Sequence, residues 1–307
     1  MSLTPFDILV VGELNADLIL RGDVLPVFGQ VEKLVDDAAL TIGSSSAIFA
    51  CGAARLGLRV AFVGVVGDDE FGGFMRRALA ARGVDTTSIV VNPALKTGLT
   101  VILSLGVDRA MLTYSGSIGA LRFADIEPSR LARARHLHLG SYFLLEALRP
   151  DIPALLALAR QNGLTVSLDP GYDPREQWDG GLAEALRHVD VFLPNEKELC
   201  AIAGQADVDS ALRALSARVP TVAVKLGALG AAALRGLDTA QAESLPVQVV
   251  DTTGAGDSFD AGFIYACLAG WDLARALRFG CVCGALSTRA AGGTSAQPTL
   301  DEALAHL

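Results

Sequence analysis

The residues Asp251-Thr252-Thr253-Gly254-Ala255-Gly256-Asp257-Ser258-Phe259 follow an apolar run over 245–250 and lead into a helical pattern over 258–268. The spacing predicts a strand, a glycine-rich turn and a helix in immediate succession. Small residues at 254–256 let the backbone come close to a ligand. Their N–H groups stand at a helix start, where free donors and the helix dipole both favour an anion. Such a turn can stabilise charge that builds on a transferred phosphoryl group. Asp257 falls in the first helical turn, placed to take a proton from an attacking hydroxyl. The same residues also fit an ordinary glycine-rich turn before a helix with an acidic start, because Asp is common there.

Upstream of this turn, runs rich in Val, Ile and Leu alternate with Ala/Leu/Arg helical patterns. Strands are expected over 7–11, 60–66, 136–139, 165–168, 189–193 and 221–225, and helices over 45–56, 70–82, 152–161, 182–187, 207–217, 258–268 and 273–288. That alternation predicts an α/β fold with a mostly parallel, doubly wound sheet covered on both faces, whose ligands bind beyond the carboxyl ends of the strands. Two stretches, at about 13–40 and 97–115, break the alternation and look like extended strands and turns. They are expected to form a small sheet inserted as a lid, which would keep water from a reacting phosphoryl group. With no internal repeat or linker, residues 1–307 read as one domain.

Composition narrows the function. With 51% apolar residues, 32 glycines and a formal charge of -9, the chain has the make-up of a compact enzyme. It lacks the clustered Lys and Arg that a nucleic-acid partner requires. The five cysteines include no CxxC pair and lie in apolar surroundings, so they read as reduced core thiols rather than metal ligands. His136 and His138 share a strand face without a third ligand nearby and read as structural. The amino-terminal stretch lacks a positive n-region, and no apolar run reaches the roughly 20 residues of a membrane helix. A cytoplasmic location with no membrane partner is expected.

Residues 251–259 match in full the second signature of the ribokinase-like (PfkB) carbohydrate kinases, and the resemblance runs through nearly the whole chain. It implies a three-layer core with a β-sheet lid, and transfer of a phosphoryl group from ATP to a hydroxyl of a small sugar or sugar acid. By the same resemblance Asp257 is the catalytic base, and Gly254, Ala255 and Gly256 form the anion hole. Asp251 and Thr253 resemble residues that hold a monovalent cation, K+, in many members. In Gly12-Glu13-Leu14-Asn15-Ala16-Asp17, Asn15 and Asp17 resemble the sugar-contacting start, and a carboxylate suits a vicinal diol because it accepts two hydroxyls at once. Gly43 and Ser44 belong to the first signature. Asn195 and Glu198 of Pro194-Asn195-Glu196-Lys197-Glu198 resemble the Asn-x-x-Glu motif, whose Glu acts on Mg2+ through water. Mg2+ is ordinarily held through few carboxylates and keeps its waters. Lys225, Gly227 and Gly230 resemble the nucleotide-binding turn. Asp169-Pro170, with Arg175 and Trp178, resembles a stretch of sugar and sugar-acid kinases that helps order the Mg2+ site.

The sequence departs from the pattern in two places. Ile48 stands where the family usually has an asparagine that contacts substrate, and the serines at 44–46 are candidate replacement donors. Cys281 falls near a position that is often Asn in the adenine pocket. Arg109, on the second insertion, is a candidate for meeting a substrate carboxylate or hydroxyl. Two other readings stay open. One is a nucleoside kinase of the same family, with Phe28, Ile48, Phe49 and Tyr114 as the residues available to stack on a base. The other is a catalytically silent relative that binds nucleotide or sugar. The resemblance also implies a homodimer formed through the lid.

Overall fold

The structure is a computed structural model that describes residues 5–105 and 108–307. Residues 1–4, part of the stretch read as lacking a signal peptide, and residues 106–107, inside the 97–115 insertion, lie outside the described residues. The first half of the chain forms β1 (Ile8–Val11), β2 (Asn15–Arg21), β3 (Asp37–Ile42), α1 (Ser45–Arg55), β4 (Val60–Gly67), α2 (Glu70–Ala80), β5 (Val84–Asn92), β6 (Gly98–Leu105) and β7 (Asp108–Tyr114). After α3 (Pro128–Leu131) come β8 (His136–Leu139), α4 (Ile152–Gln161), β9 (Thr165–Leu168), α5 (Leu182–Ala185), β10 (Val191–Phe192), α6 (Glu196–Ala203), α7 (Val208–Ser216) and β11 (Thr221–Lys225). The chain closes with the hairpin β12 (Ala231–Arg235) and β13 (Asp238–Ala242), then α8 (Ala255–Leu268), α9 (Leu273–Ser287) and α10 (Leu300–Leu304).

Nine strands form one sheet in the order β13-β12-β11-β10-β9-β8-β1-β4-β5. It is parallel from β11 to β5, and only the β11–β12 and β12–β13 pairings, at one edge, are antiparallel. The central strand Ile8-Leu9-Val10-Val11 shows why such strands read as continuous apolar runs. Side chains alternate between faces, so Ile8 and Val10 join one buried cluster with α1, α8 and α9, while Leu9 and Val11 join another with α4. These clusters are the two helix layers on the sheet, and the expected three-layer α/β core is present.

From β1 the chain winds outward through β4 and β5, then returns to β8 and winds the other way. The reversal lies between β1 and β8, where adjacent connections leave in opposite directions and open a crevice. The turns after β1 and β8 meet there.

The remaining strands form a separate four-stranded sheet, β3-β2-β6-β7, in which β2 and β6 are parallel and the outer pairs antiparallel. Three expectations need correction. The apolar run 245–250 forms no strand; it carries Pro246 and borders a cavity, and Val249 and Val250 are exposed. The helix expected from 258 begins at Ala255. β5 was not foreseen, because its Asp-Thr-Thr-Ser segment carries too little apolar signal.

Candidate active site

The turn 251–257 owes its shape to local backbone requirements. Gly254 caps α8 with φ 73°, a left-handed conformation that costs glycine little. A Cβ at 254 would stand 2.8 Å from both Ile48 Cγ2 and Gly293 Cα, and one at Gly293 would also run into Ile48. Ile48 therefore packs behind the turn and supports it. The carboxylate of Asp251 organises the approach. It accepts Thr253 N at 2.9 Å, Thr253 Oγ1 at 2.8 Å and Gly292 N at 2.9 Å. Burial alone would raise its pKa, but these donors together with Arg109 bring it below the usual carboxylate range.

Asp257 stands in the first turn of α8, partly exposed. Desolvation first, and the charge of Asp169 second, push its carboxyl well above the ordinary range; Lys225 and the hydroxyl of Ser45 pull the other way. A carboxyl raised in this way holds a proton more readily than an exposed one. One turn further along α8, Asp260 is buried and accepts from Lys225 Nζ at 3.0 Å, while Asp169 accepts the same ammonium at 2.7 Å. The structure thus commits Lys225 to two carboxylates. Its stem still lines the cavity beside Gly256. Glu198 is buried near this group, and desolvation followed by Asp169 lifts its pKa to about 7. It forms a capping box with Asn195, each side chain accepting from the other's backbone N–H at 2.9 Å. Asn195 itself is exposed and does not line the cavity.

At the start of β2, Asn15 Nδ2 donates to Asp17 Oδ1 at 2.9 Å and to Thr100 Oγ1 at 3.3 Å. Gly43 lies so close that a Cβ would stand 2.5 Å from Asn15 Nδ2. Burial raises Asp17 to about 7 against the pull of Asn15 and Arg109. Arg109 reaches from β7 to donate to Thr253 Oγ1 at 2.8 Å and stands 3.5 Å from Asp251 Oδ1. Two of the candidate serines are already engaged: Ser44 Oγ donates to Glu13 O at 2.7 Å, and Ser46 Oγ to Glu13 Oε2 at 2.6 Å. Of the three, Ser45 turns its hydroxyl to Asp257.

A cavity of about 510 Å³ opens between the Gly227–Gly230 turn, the 244–249 segment and the start of α8, and Phe259, Cys281 and Gly284 line it as well. Gly227 and Gly230 hold left-handed φ of 59° and 95°. Burial pushes the Cys281 thiol up to about 11, so it acts here as an apolar wall. His136 Nε2 and His138 Nδ1 share Ser167 Oγ at 2.7 and 2.8 Å, and His138 stacks on Phe49 at 3.6 Å. Among the described residues no cluster of three or more His, Cys, Asp or Glu is arranged to hold a metal directly.

Sequence reasoning missed Glu13, Ser141 and Asp260. The Glu13 carboxyl is buried and accepts from Ser46 and from Ser141 Oγ at 3.0 Å, tying the ends of β1, α1 and β8 together at the crevice. Its one sequence signal was an acidic residue inside an apolar stretch. Asp260 could have been found from its spacing, three residues after Asp257 on one helix face.

The family model for pfkB family carbohydrate kinases matches residues 6–300. An ATP-dependent ribose-1-phosphate kinase of Halopiger xanaduensis is 35% identical over 98% of this chain and 97% of its own length. A protein of E. coli solved in complex with ATP and Mg2+ superposes with a TM-score of 0.89 at 25% identity, covering 98% of each chain. The ribokinase of Arabidopsis thaliana complexed with ribose and ATP gives 0.83 at 26% identity, again over 98% of each chain. With the fold, the glycine-rich turn and these likenesses together, the chain belongs to the pfkB family of carbohydrate kinases, and with it to the ATP-dependent sugar kinases.

Proposed function

We propose that ATP lies in the 510 Å³ cavity with its γ-phosphate on the Gly254–Asp257 turn, and that a sugar or sugar-acid hydroxyl approaches from the Asn15 and Asp17 side. The hydroxyl oxygen forms a bond to the γ-phosphorus as the bond to the β–γ bridging oxygen breaks. Asp257 takes the hydroxyl proton, and the products are ADP and a sugar phosphate. The Gly254, Ala255 and Gly256 backbone faces the charge that develops on the phosphoryl group. The observation that carries this reading is the position of Asp257 in the first turn of α8, directly after Ala255 and Gly256 of the cavity wall and within reach of the charges of Asp169, Lys225 and Glu13.

Glu198 fits Mg2+ through water: it is buried, shares its surroundings with Asp169 and Lys225, and stands alone rather than in a direct ligand cluster. When bound, the ion neutralises phosphate charge. The residues of the chain orient its waters through Glu198 and keep Asp169 ionised through Lys225. The sheet β3-β2-β6-β7 serves as the lid, inserted into a single domain, and its outward face pairs with a second copy of the chain. Among the described residues no helix is long and apolar enough to cross a membrane, and we place the enzyme in the cytoplasm. The nucleoside reading loses its residues: Ile48 packs on Gly254, Phe49 stacks on His138, Phe28 is 96% exposed and Tyr114 lies on the face of the small sheet opposite Asp17.

The decisive variant is Asp257→Asn. ADP release driven by ribose, ribose 1-phosphate, fructose or 2-keto-3-deoxygluconate should fall by about 10²-fold or more, with ATP binding and the unfolding midpoint retained. Near-normal turnover in that variant would remove Asp257 from the role of base.

A further inference from the structure

The turn expected to hold a monovalent cation already has a cation of its own. Arg109 Nη1 donates to Thr253 Oγ1 at 2.8 Å and stands 3.5 Å from Asp251 Oδ1. Both carboxylate oxygens of Asp251 have partners as well. Asp251 Oδ1 accepts the backbone N–H and the hydroxyl of Thr253, and Oδ2 accepts Gly292 N at 2.9 Å. An alkali ion has to exchange its waters for several free oxygens, and here it would meet a guanidinium already hydrogen-bonded to Thr253 and 3.5 Å from the Asp251 carboxylate. A guanidinium suits the position better, because its donors are directional and it is always charged. With the guanidinium in place, the side chains of Asp251 and Thr253 therefore do not fit K+.

We propose that Arg109 is the resident cation of the Asp251–Thr253 turn, so that phosphoryl transfer in this enzyme runs without potassium and the positive charge is delivered by the lid. The inference rests on the kinase reading above. Arg109 lies on β7, an exposed strand of the small sheet, whereas Asp251 and Thr253 lead into α8 beside the nine-stranded sheet. The contact therefore exists only while the small sheet lies over the site. It also brings the charge next to Asp17, whose carboxyl is influenced by both Arg109 and Asp251. Sugar binding under the sheet and completion of the charge around the anion turn become one event.

The test uses the full chain in tetramethylammonium buffer, with and without KCl at matched ionic strength. ADP release is measured with ATP, Mg2+ and whichever of ribose, ribose 1-phosphate, fructose or 2-keto-3-deoxygluconate turns over fastest. The unfolding midpoint is read in parallel without sugar. Wild-type turnover should change less than about twofold on adding KCl, while Arg109→Ala should lose about tenfold or more without potassium and regain most of it with potassium. Arg109→Lys, which keeps the charge and loses the fork, should fall between them. KCl should raise the midpoint of Arg109→Ala and leave that of wild type in place. A strong potassium requirement in wild type overturns the proposal, as does an Arg109→Ala enzyme that is unimpaired without potassium or that potassium fails to rescue. If no sugar turns over, the kinase reading is what has failed, and the two midpoints still decide whether potassium or Arg109 occupies the turn.

Discussion

Asp17, proposed above to stand on the sugar side, is a single buried carboxyl that would tie substrate binding to pH. Burial raises its pKa to about 7, with Asn15 and Arg109 acting in the opposite direction. Protonated, the group keeps one donor and part of its acceptor capacity; ionised, it accepts two sugar hydroxyls. The KM for sugar should therefore fall as pH rises through about 7 and level off above it, and Asp17→Asn should give a flat, elevated KM. The stability effect has the opposite sign. Because the folded pKa lies above the ordinary carboxylate value of 3.8, the native state holds more protons than the unfolded chain between the two values. Stability from this residue consequently declines as pH rises across that window. A KM for sugar that is independent of pH in wild type would show that Asp17 does not receive the hydroxyls.

At the scale of elements, the packing behind the anion turn gives a direct test. A Cβ at Gly293 would collide with Ile48 Cδ1 and stand 2.9 Å from Cγ1. Gly293→Ala should cost about 1–3 kcal/mol of stability and lower kcat by displacing Gly254, whereas Ile48→Val, which removes Cδ1, should recover much of both in the double variant. Strictly additive effects in the unfolding free energies would show that Ile48 and the turn do not bear on one another. The same residue marks the limit of what was legible in the sequence. Periodicity gave the strands over 136–139, 165–168 and 221–225 and the helix over 152–161 with the observed bounds, because each is a regular pattern bounded by turn residues. Gly254 to Asp257 could be placed at a helix start because glycine and Asp carry their local preferences with them. The helix itself begins three residues before its apolar pattern, since Gly254 rather than hydrophobicity sets the start. Ile48 behind the turn, Glu13 joining β1 to β8 and Arg109 on Asp251 depend on contacts between distant segments, which no local pattern encodes.

For the whole molecule, the small sheet has two unlike faces. Because side chains alternate along each strand and aligned neighbours share a face, the register puts Asp17, Thr41, Thr100 and Thr113 together, with Arg21 and Arg109 further along the same side. That face meets the site, as the Asn15–Thr100, Thr100–Thr113 and Arg109–Thr253 hydrogen bonds attest. The opposite face carries Leu40, Leu18, Val101 and Leu112 in one row and Ala38, Leu20, Leu103 and Ala110 in the next. Leu40 is 42% and Leu112 62% exposed, and Tyr114, on the same face, is 55% exposed. A continuous apolar face of this kind is costly to leave in water, and a second copy of the same sheet supplies a matching one. Wild-type protein should sediment as a dimer at micromolar concentration, and the double variant Leu40→Asp, Leu112→Asp should sediment as a monomer, since it sets carboxylates against each other across the interface. The variant should keep its cooperative unfolding, because neither side chain belongs to the buried core clusters. Its KM for sugar should rise with little change in kcat, because an unsupported sheet spends less time over the site while the turn and Asp257 are untouched. A wild-type protein that remains monomeric at about a hundredfold higher concentration would instead mean that this face is tolerated in water and that the sheet works alone.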